Sequence, residues 1–483
     1  MARRGSYRRR APVASWTPRD RVLYKLTDQD ISPAIPITAF GIGGRDPSWN
    51  QHADAFLAAN RPQFEALELS PQFTPTETEL SLRLRSAGMI GAVPLRSPDT
   101  RKIRGGIVVE PRFGWSGIGP VMQRTGWSAR PQILEMPLVP GSAKETPSWV
   151  LAGPLLQRLE ALLRELRRGF HVYEELRQTP RGQILWPEYT KQLARGTPHL
   201  LPCRYPDLGH DVLLRGFIRW GVGRVRESLA VHATEDPIAR ALVDMANRLL
   251  DETRDVLERP PTRGTLDRFS RLSLSSAILQ NGIQALGWIV DERGLAGQTE
   301  TDGLAWSLSM QELFESWVEH LVREWAHDIG GEVKTGRQLQ TLIPIEWDRG
   351  GVSTMKSLIP DLVVRRGDSI WIFDAKYKSH FLEFTESRWM EVAEEIREQH
   401  RHDLHQVLAY AAVFEASDVE SVLVYPIRSR DPAEGEAIQR PSARAALEIQ
   451  GRRLGLRVAG VPLTPAKGFP SLASINDRGD FRT

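Results

Sequence analysis

From residue 23 to about 147, apolar residues come in short runs such as Ile103 to Val109 and Gln132 to Val139, broken repeatedly by Pro and Gly. Breakers at that density predict a mostly β N-terminal domain with long loops, in which Ala53 to Ala59 is the one short helix. The period changes at Pro147-Ser148. Leu155, Leu159, Leu162 and Leu166 recur at helical spacing, Arg and Glu cover the remaining face, and Gly169 ends the run. Helical patterns continue over Asp211 to Val231 and Pro237 to Leu257. Between the first helical run and these, Arg181 to Trp186 and Leu200 to Tyr205 read as an embedded strand pair. This segment, 148–300, is a mainly helical middle domain, with Pro260-Pro261 as a linker or sharp boundary inside it.

A third pattern occupies 301–435. Ser309-Met310-Gln311-Glu312 is a capping box that opens a helix with Leu313, Phe314, Trp317, Val318, Leu321, Val322 and Trp325 as its apolar stripe; Gly330-Gly331 stops it. Leu358 to Lys378, LIPDLVVRRGDSIWIFDAKYK, has two apolar, β-branched runs around the polar turn Arg365 to Ser369 and predicts a β-hairpin. Two helical stretches follow, Glu386 to Gln399 and His402 to Ala416. Ser421 to Tyr425 is then a buried strand ended by Pro426. Helix, strand, strand, helix, strand is an α/β core with a mixed sheet. The expected whole is α+β and multidomain, with a C-terminal extension at 436–483.

The chemistry concentrates on the hairpin. Side chains alternate across a strand, so Asp374 and Lys376 share one face while Phe373 and Ala375 share the other. Asp361 is expected on the first strand, directly after Pro360, where an irregular start is tolerated. Two acids and a lysine on one sheet face suit Mg²⁺ beside a phosphate; a hairpin with solvated charges is the alternative at this point. On the helix before it, Glu312 and Glu319 fall away from the apolar stripe, whereas Glu315 flanks it and is the better candidate. Gln406 and Tyr410 stand four apart on one face of a later helix.

Other features carry less. His402 and His405 can share a helix face, but His400 cannot and no fourth ligand is present, so a polar helix start is preferred to zinc. Arg215, Arg219, Arg224 and Arg226 read as a solvated helix face rather than a phosphate track. Gly41-Ile42-Gly43-Gly44 has its third glycine misplaced for a dinucleotide fingerprint.

At 483 residues, 41% hydrophobic and 25% charged, the chain has the composition of a soluble globular protein of several domains. No apolar run reaches membrane-span length, and no signal peptide is visible. The single Cys203 rules out an internal disulfide or a Cys-based zinc cluster and fits a reducing cytoplasm. Net charge is only +3, so nucleic-acid binding must come from local patches. Residues 1–22 are one: seven Arg against Asp20, a flexible basic arm that is either a solvated tail or a salt-sensitive nucleic-acid contact.

Asp361, Asp374-Ala375-Lys376, the preceding Glu315 and the trailing Gln406-Val407-Leu408-Ala409-Tyr410 together resemble the PD-(D/E)XK nuclease superfamily, the last element being a feature of its RecB-like branch. More narrowly, Leu313 to Val318, Pro360 to Val363 and Asp374 to Lys378 resemble the nuclease half of the McrC family. Arg181 to Ile184, Cys203 to Tyr205 and Asp211 to Leu214 resemble its middle region, with Arg215 where Asn is expected. Gly106 to Phe113 is similar to its N-terminal β region. The resemblance implies the endonuclease subunit of a McrBC-type, modification-dependent restriction and anti-phage system. Such a subunit docks through its N-terminal domain, here 23–147, on a hexameric McrB-like AAA+ GTPase, stimulates it and cuts DNA.

Within 301–435 the resemblance implies a PD-(D/E)XK nuclease domain. Glu315, Asp361, Asp374 and Lys376 would be catalytic, Asp361, Asp374 and the Ala375 carbonyl would hold Mg²⁺ (Mn²⁺ as the substitute ion), and Gln406 and Tyr410 would brace the site or touch the DNA backbone. Double-strand cutting would need two nuclease copies. The chain has no GxxxxGK[ST], so it binds no nucleotide by that motif and is not the NTPase. Two other readings stay open: a nuclease-silent activator of a motor ring, and a stand-alone nuclease of related fold.

Overall fold

The computed structural model describes residues 22–36, 49–75, 80–142, 145–166, 169–209, 211–234, 236–270, 276–290, 302–346, 356–378, 394–427, 442–449 and 452–463. Residues 1–21 of the basic arm, Gly41 to Gly44, 386–393 and the tail from 464 onward lie outside them. The chain is α+β and forms two compact units that do not follow sequence order.

The first unit comprises Met1–Arg112, Leu134–Glu145 and Thr301–Ser307. Its sheet places β1 (Val22–Thr27) parallel to β3 (Ile103–Glu110), which pairs antiparallel with β2 (Met89–Arg96). A strand beginning at Trp306 adds to the β2 edge. The helix expected over Ala53 to Ala59 is longer: α1 spans Trp49–Ala66 with Pro62 inside. Buried Phe56, Ala59 and Phe64 hold it, so packing overrides the local cost of the proline.

The second unit, Phe113–Ile133, Thr146–Glu300 and Leu308–Thr483, carries the rest. Its helical part begins with α2 (Ser148–Glu165), whose Leu155, Leu156, Leu159, Leu162 and Leu163 are all buried. Gly169 ends the helical pattern but opens a strand: β4 (Gly169–Arg177) completes, with β5 (Gln183–Ile184) and β6 (Leu201–Gly209), a three-stranded antiparallel sheet where a strand pair was expected. The helices α3 (Val212–Ala230) and α4 (Pro237–Glu252) then pack on one another. Here the arginine reading is corrected. Arg215 is buried and donates to the Glu252 carbonyl and to Asp255, and Arg219 donates to the Leu250 carbonyl. Both therefore satisfy carbonyls at the end of α4, where a cation also meets the negative end of the helix dipole.

The remainder is a layered core. α5 (Met310–Ile329) starts where the capping box places it, with Ser309 accepting from the Glu312 N–H, and stops at Gly330, whose φ of 69° is the left-handed conformation that favours glycine. A six-stranded mixed sheet follows, in the order β7 (Glu332–Thr335), β8 (Leu362–Arg366), β9 (Ser369–Ala375), β10 (Asp418–Ile427), β12 (Arg452–Pro462), β11 (Ser442–Ile449). β7, β8 and β9 are antiparallel neighbours, β9, β10 and β12 run parallel, and β11 returns antiparallel. Trp325 of α5 meets Trp371 and Phe373 edge-on at 5.3 and 5.7 Å between ring centroids, covering one face. Ile370 and Ile372 point the other way into a cluster with Tyr410 and Ala411 of α6 (Glu394–Val413).

Three expectations change in this unit. The two helices expected around 400 are one, because the polar run His400-Arg401-His402 contains no breaker. The strand at Ser421 to Tyr425 extends to Ile427 through Pro426, and β11 and β12 widen the sheet beyond it. Asp361 precedes β8 rather than lying in it.

Candidate active site

The hairpin β8–β9 sets the spacing. Arg366 pairs with Ser369 across a two-residue turn, and Gly367 at φ 58° takes the first central position, which demands glycine. Leu362 pairs with Phe373, so the register continued outward puts Asp361 opposite Asp374 and Pro360 opposite Ala375. Pro360 has no N–H, so the ladder offers the Ala375 carbonyl no donor there. The Ala375 N–H is diverted as well: it donates to Asp361 Oδ2 at 2.8 Å. Asp361 thus joins the sheet through its side chain, which is why its backbone falls outside the strand.

A neighbouring segment cradles the Pro360-Asp361 peptide. Thr341 Oγ1 donates to the Pro360 carbonyl at 2.6 Å, and the Gly336 N–H donates to the Asp361 carbonyl at 2.8 Å. A Cβ on Gly336 would stand 2.7 Å from the Pro360 oxygen, so this approach requires glycine. Neither Gly336 nor Thr341 was legible in the sequence, since their contribution is backbone proximity.

Asp374 is 1% exposed and shares the α6 side of the sheet with Asp361. Lys376 Nζ lies 2.8 Å from Asp374 Oδ2. That oxygen is buried without a well-angled hydrogen bond, so the lysine supplies it charge rather than a directed donor. Burial, the Asp374 charge and, more weakly, Glu315 push the Asp361 carboxyl up to about 7, against the Ala375 N–H and Lys376, which favour its ionised form. Burial also raises Asp374, with Lys376 opposing. Burial alone would lower Lys376, but Asp374, Asp361 and Asp403 outweigh it, and the ammonium is held more firmly than usual.

The other expected residues surround this centre. Glu315 reaches it from α5, near enough for its charge to act on Asp361, while accepting from Gln311 at 3.0 Å and facing Arg337 at 3.8 Å. Gln406 Nε2 donates to the Tyr410 hydroxyl at 2.6 Å, as their spacing predicts. Tyr410 is buried, and its hydroxyl is raised by burial first and by Asp374 and Asp361 as well, opposed by Gln406 and Lys376. A second charged group was not anticipated. Lys378 donates to both oxygens of Asp403 at 2.8 Å, and Tyr425 donates to Asp403 at 2.9 Å. His400 Nδ1 lies 3.1 Å from the Tyr425 hydroxyl, whereas His402 and His405 are exposed. Asp403 stood in the sequence seven before Tyr410, on its face of the helix, which was the available signal.

The donor set fits Mg²⁺. Two buried carboxylates repel one another, one of their oxygens lacks a directed partner, and a carbonyl nearby has no ladder donor. Among the described residues no three or more His, Cys, Asp or Glu side chains gather as metal ligands. Magnesium normally takes one or two carboxylates and keeps its waters, so a pair suffices, whereas a structural zinc would need four protein ligands.

None of the curated proteins matches the chain. Among solved structures, the chain is similar to one from the half-complex of a tetradecameric assembly of Thermococcus gammatolerans McrB AAA+ hexamers with bound McrC, at 13% identity and a TM-score of 0.40, over 94% of this chain and 100% of that one. It is also similar to a chain of the Thermococcus gammatolerans McrBC complex, at 13% identity and a TM-score of 0.27, over 63% of this chain and 88% of that one. The family description "McrBC 5-methylcytosine restriction system component" matches residues 144–426 of the 483, which takes in the helical part, the layered core as far as β10 and every residue of the acidic pair and its lysine, while β11 and β12 lie beyond it. By that match, which covers more than half of its length, the chain belongs to the McrBC 5-methylcytosine restriction system component family.

Proposed function

We propose that this chain is the DNA endonuclease subunit of its restriction system, with a core of the PD-(D/E)XK type and Mg²⁺ as its ion. The observation that carries the reading is the convergence of Asp361, Asp374 and Lys376 at one end of a hairpin whose register leaves the Ala375 carbonyl without a ladder donor. Asp361, Asp374 and that carbonyl would hold the metal, which when bound supplies charge neutralisation at the phosphate and a more acidic water. Lys376 faces the same space and stabilises charge on the phosphate while positioning the attacking water. Glu315 orders that water from the α5 side. Attack in line at phosphorus forms the new P–O bond as the opposite ester P–O bond breaks, and the leaving oxygen takes up a proton. Gln406 and Tyr410, already bonded to each other, brace the acidic pair from α6.

The family also supports a partner. McrB AAA+ hexamers with bound McrC are the assembly named for one similar structure, and we extend that arrangement to this chain: residues 23–147 dock on a McrB-like AAA+ GTPase and stimulate it. The cutting core is the layered part from α5 onward, its sheet completed by β11 and β12, and it shares one compact unit with the helical part.

Asp374→Asn and Asp374→Ala, tested in the complex with the co-purifying partner, decide the matter. Mg²⁺-dependent DNA cleavage is expected to vanish while GTP hydrolysis by the partner is still stimulated. Cleavage at the wild-type rate by both variants would refute the nuclease reading and leave an activator whose nuclease core is silent.

A further inference from the structure

Lys378 and Asp403 are not needed for the chemistry above, yet they form the most constrained ion pair beside it. The Asp403 side chain is 2% exposed and takes both of its lysine bonds at 2.8 Å, while Tyr425 donates to it from the sheet. A buried ion pair contributes little stability over apolar packing of the same volume, so stability does not account for it. Its place is specific. Both members act on the charge of Asp374, so the pair sits next to the proposed metal ligands.

The backbone shows how the lysine is aimed. The Lys376 N–H donates to the Val424 carbonyl, so in this parallel register the next donor toward the Lys376 carbonyl would come from residue 426. That residue is Pro426 and has no N–H. The Lys376 carbonyl instead accepts from the Lys378 N–H at 2.9 Å, and the chain bends at Tyr377. The Tyr377 ring is buried against Phe314 and Phe113 at 6.1 and 6.2 Å, which fixes the bend. Lys376 and Lys378 then flank it, each with its ammonium on an acid of the α6 side. An ammonium has three donors. Asp403 takes two, no described residue takes the third, and the lysine side chain is 28% exposed.

We infer that Lys378 is a second phosphate-binding cation for the DNA strand being cut, gripping a phosphate beside the scissile one, with Asp403 as its positioning residue. The inference rests on the nuclease reading for the identity of the ligand but not on cleavage. Asp403 fixes the ammonium before DNA arrives, Tyr425 fixes Asp403, and His400 orients Tyr425 from the partly exposed end of α6.

The test is the salt dependence of binding to a short DNA duplex by the full-length chain without divalent metal. The informative variant is the double substitution Lys378→Gln with Asp403→Asn. It leaves net charge unchanged and strands no buried carboxylate, so it is expected to fold where Lys378→Gln alone would not. Loss of one phosphate contact should lower the slope of log K against log salt by about 0.9. Asp403→Asn alone should keep the affinity and slow cleavage by the assembled complex, and Lys378→Arg should keep the wild-type slope. A wild-type slope in the folded double variant, or no metal-free DNA binding by the wild-type chain, would overturn the proposal. Loss of cleavage in Asp374→Ala leaves this measurement untouched, so the two readings fail separately.

Discussion

At the scale of single residues, the proton on Asp361 has a measurable consequence. Burial and the neighbouring Asp374 push its carboxyl up to about 7 in the folded chain, well above the ordinary carboxylate range that applies when unfolded. Between those limits the folded state holds a proton that the unfolded state has released, so metal-free stability falls as pH rises through the window. Asp374 is shifted in the same direction and adds to the trend. Under the proposed function Mg²⁺ would have to displace that proton, so the thermal stabilisation on adding Mg²⁺ should be larger at about pH 8 than at about pH 5.5. Asp361→Asn removes the ionisation: thermal denaturation without metal should show higher stability than wild type at the alkaline end, flattened pH dependence and no cleavage. Equal melting temperatures for variant and wild type across that range would count against the shift. The acids and Lys376 were legible because strand alternation places i and i+2 on one face. Lys378 was two residues further along the same pattern, but its meaning depended on Asp403, which only the folded packing brings near.

Among elements, the site is held by a segment with no chemistry of its own. Gly336 presses its backbone against Pro360 and Asp361, and any Cβ there meets the Pro360 oxygen at 2.7 Å. Gly336→Ala should therefore push Asp361 away from Ala375 and reduce cleavage on the order of 10²-fold, since misplacement by about 1 Å suffices for that. Circular dichroism should show the secondary structure retained; a fully active variant would mean that the Pro360-Asp361 peptide moves without penalty. Ser309→Ala, by contrast, removes only the cap of α5 and should lower stability in urea by about 1 kcal/mol, cleavage being affected little. The sequence pattern placed this helix to the residue because cap, stripe and terminal glycine agree. It divided α6 in two and overlooked β11 and β12, because a polar run can sit inside a helix that another face anchors. Asp403, Val407, Tyr410 and Ala411 are that face. Likewise Pro426 was read as the end of its strand, yet the strand runs through it, and α1 continues through Pro62 beyond the Ala59 limit expected for it.

On the scale of the whole molecule, the two compact units interleave along the chain, so the boundaries visible in composition are not those of the fold. Such returns are set by long-range pairing, as where residues near Trp306 rejoin a strand laid down before residue 100, and no local period records them. The site itself is single among the described residues: one hairpin carries the acids and the lysine. The strands of a duplex are antiparallel, so two identical sites can address them only as copies related by a two-fold axis. Mixing wild-type chain with an equal amount of Asp374→Ala chain before assembly makes this quantitative. If copies pair at random, about one pair in four has both sites active, and about half have one. Double-strand breaks should then fall to about a quarter while nicked duplex accumulates, both read from a supercoiled plasmid on a gel. If one site cut both strands in turn, breaks would fall only to about half and nicks would not build up. The ratio of linear to nicked product therefore separates a nuclease that must be brought together in pairs from one that acts alone.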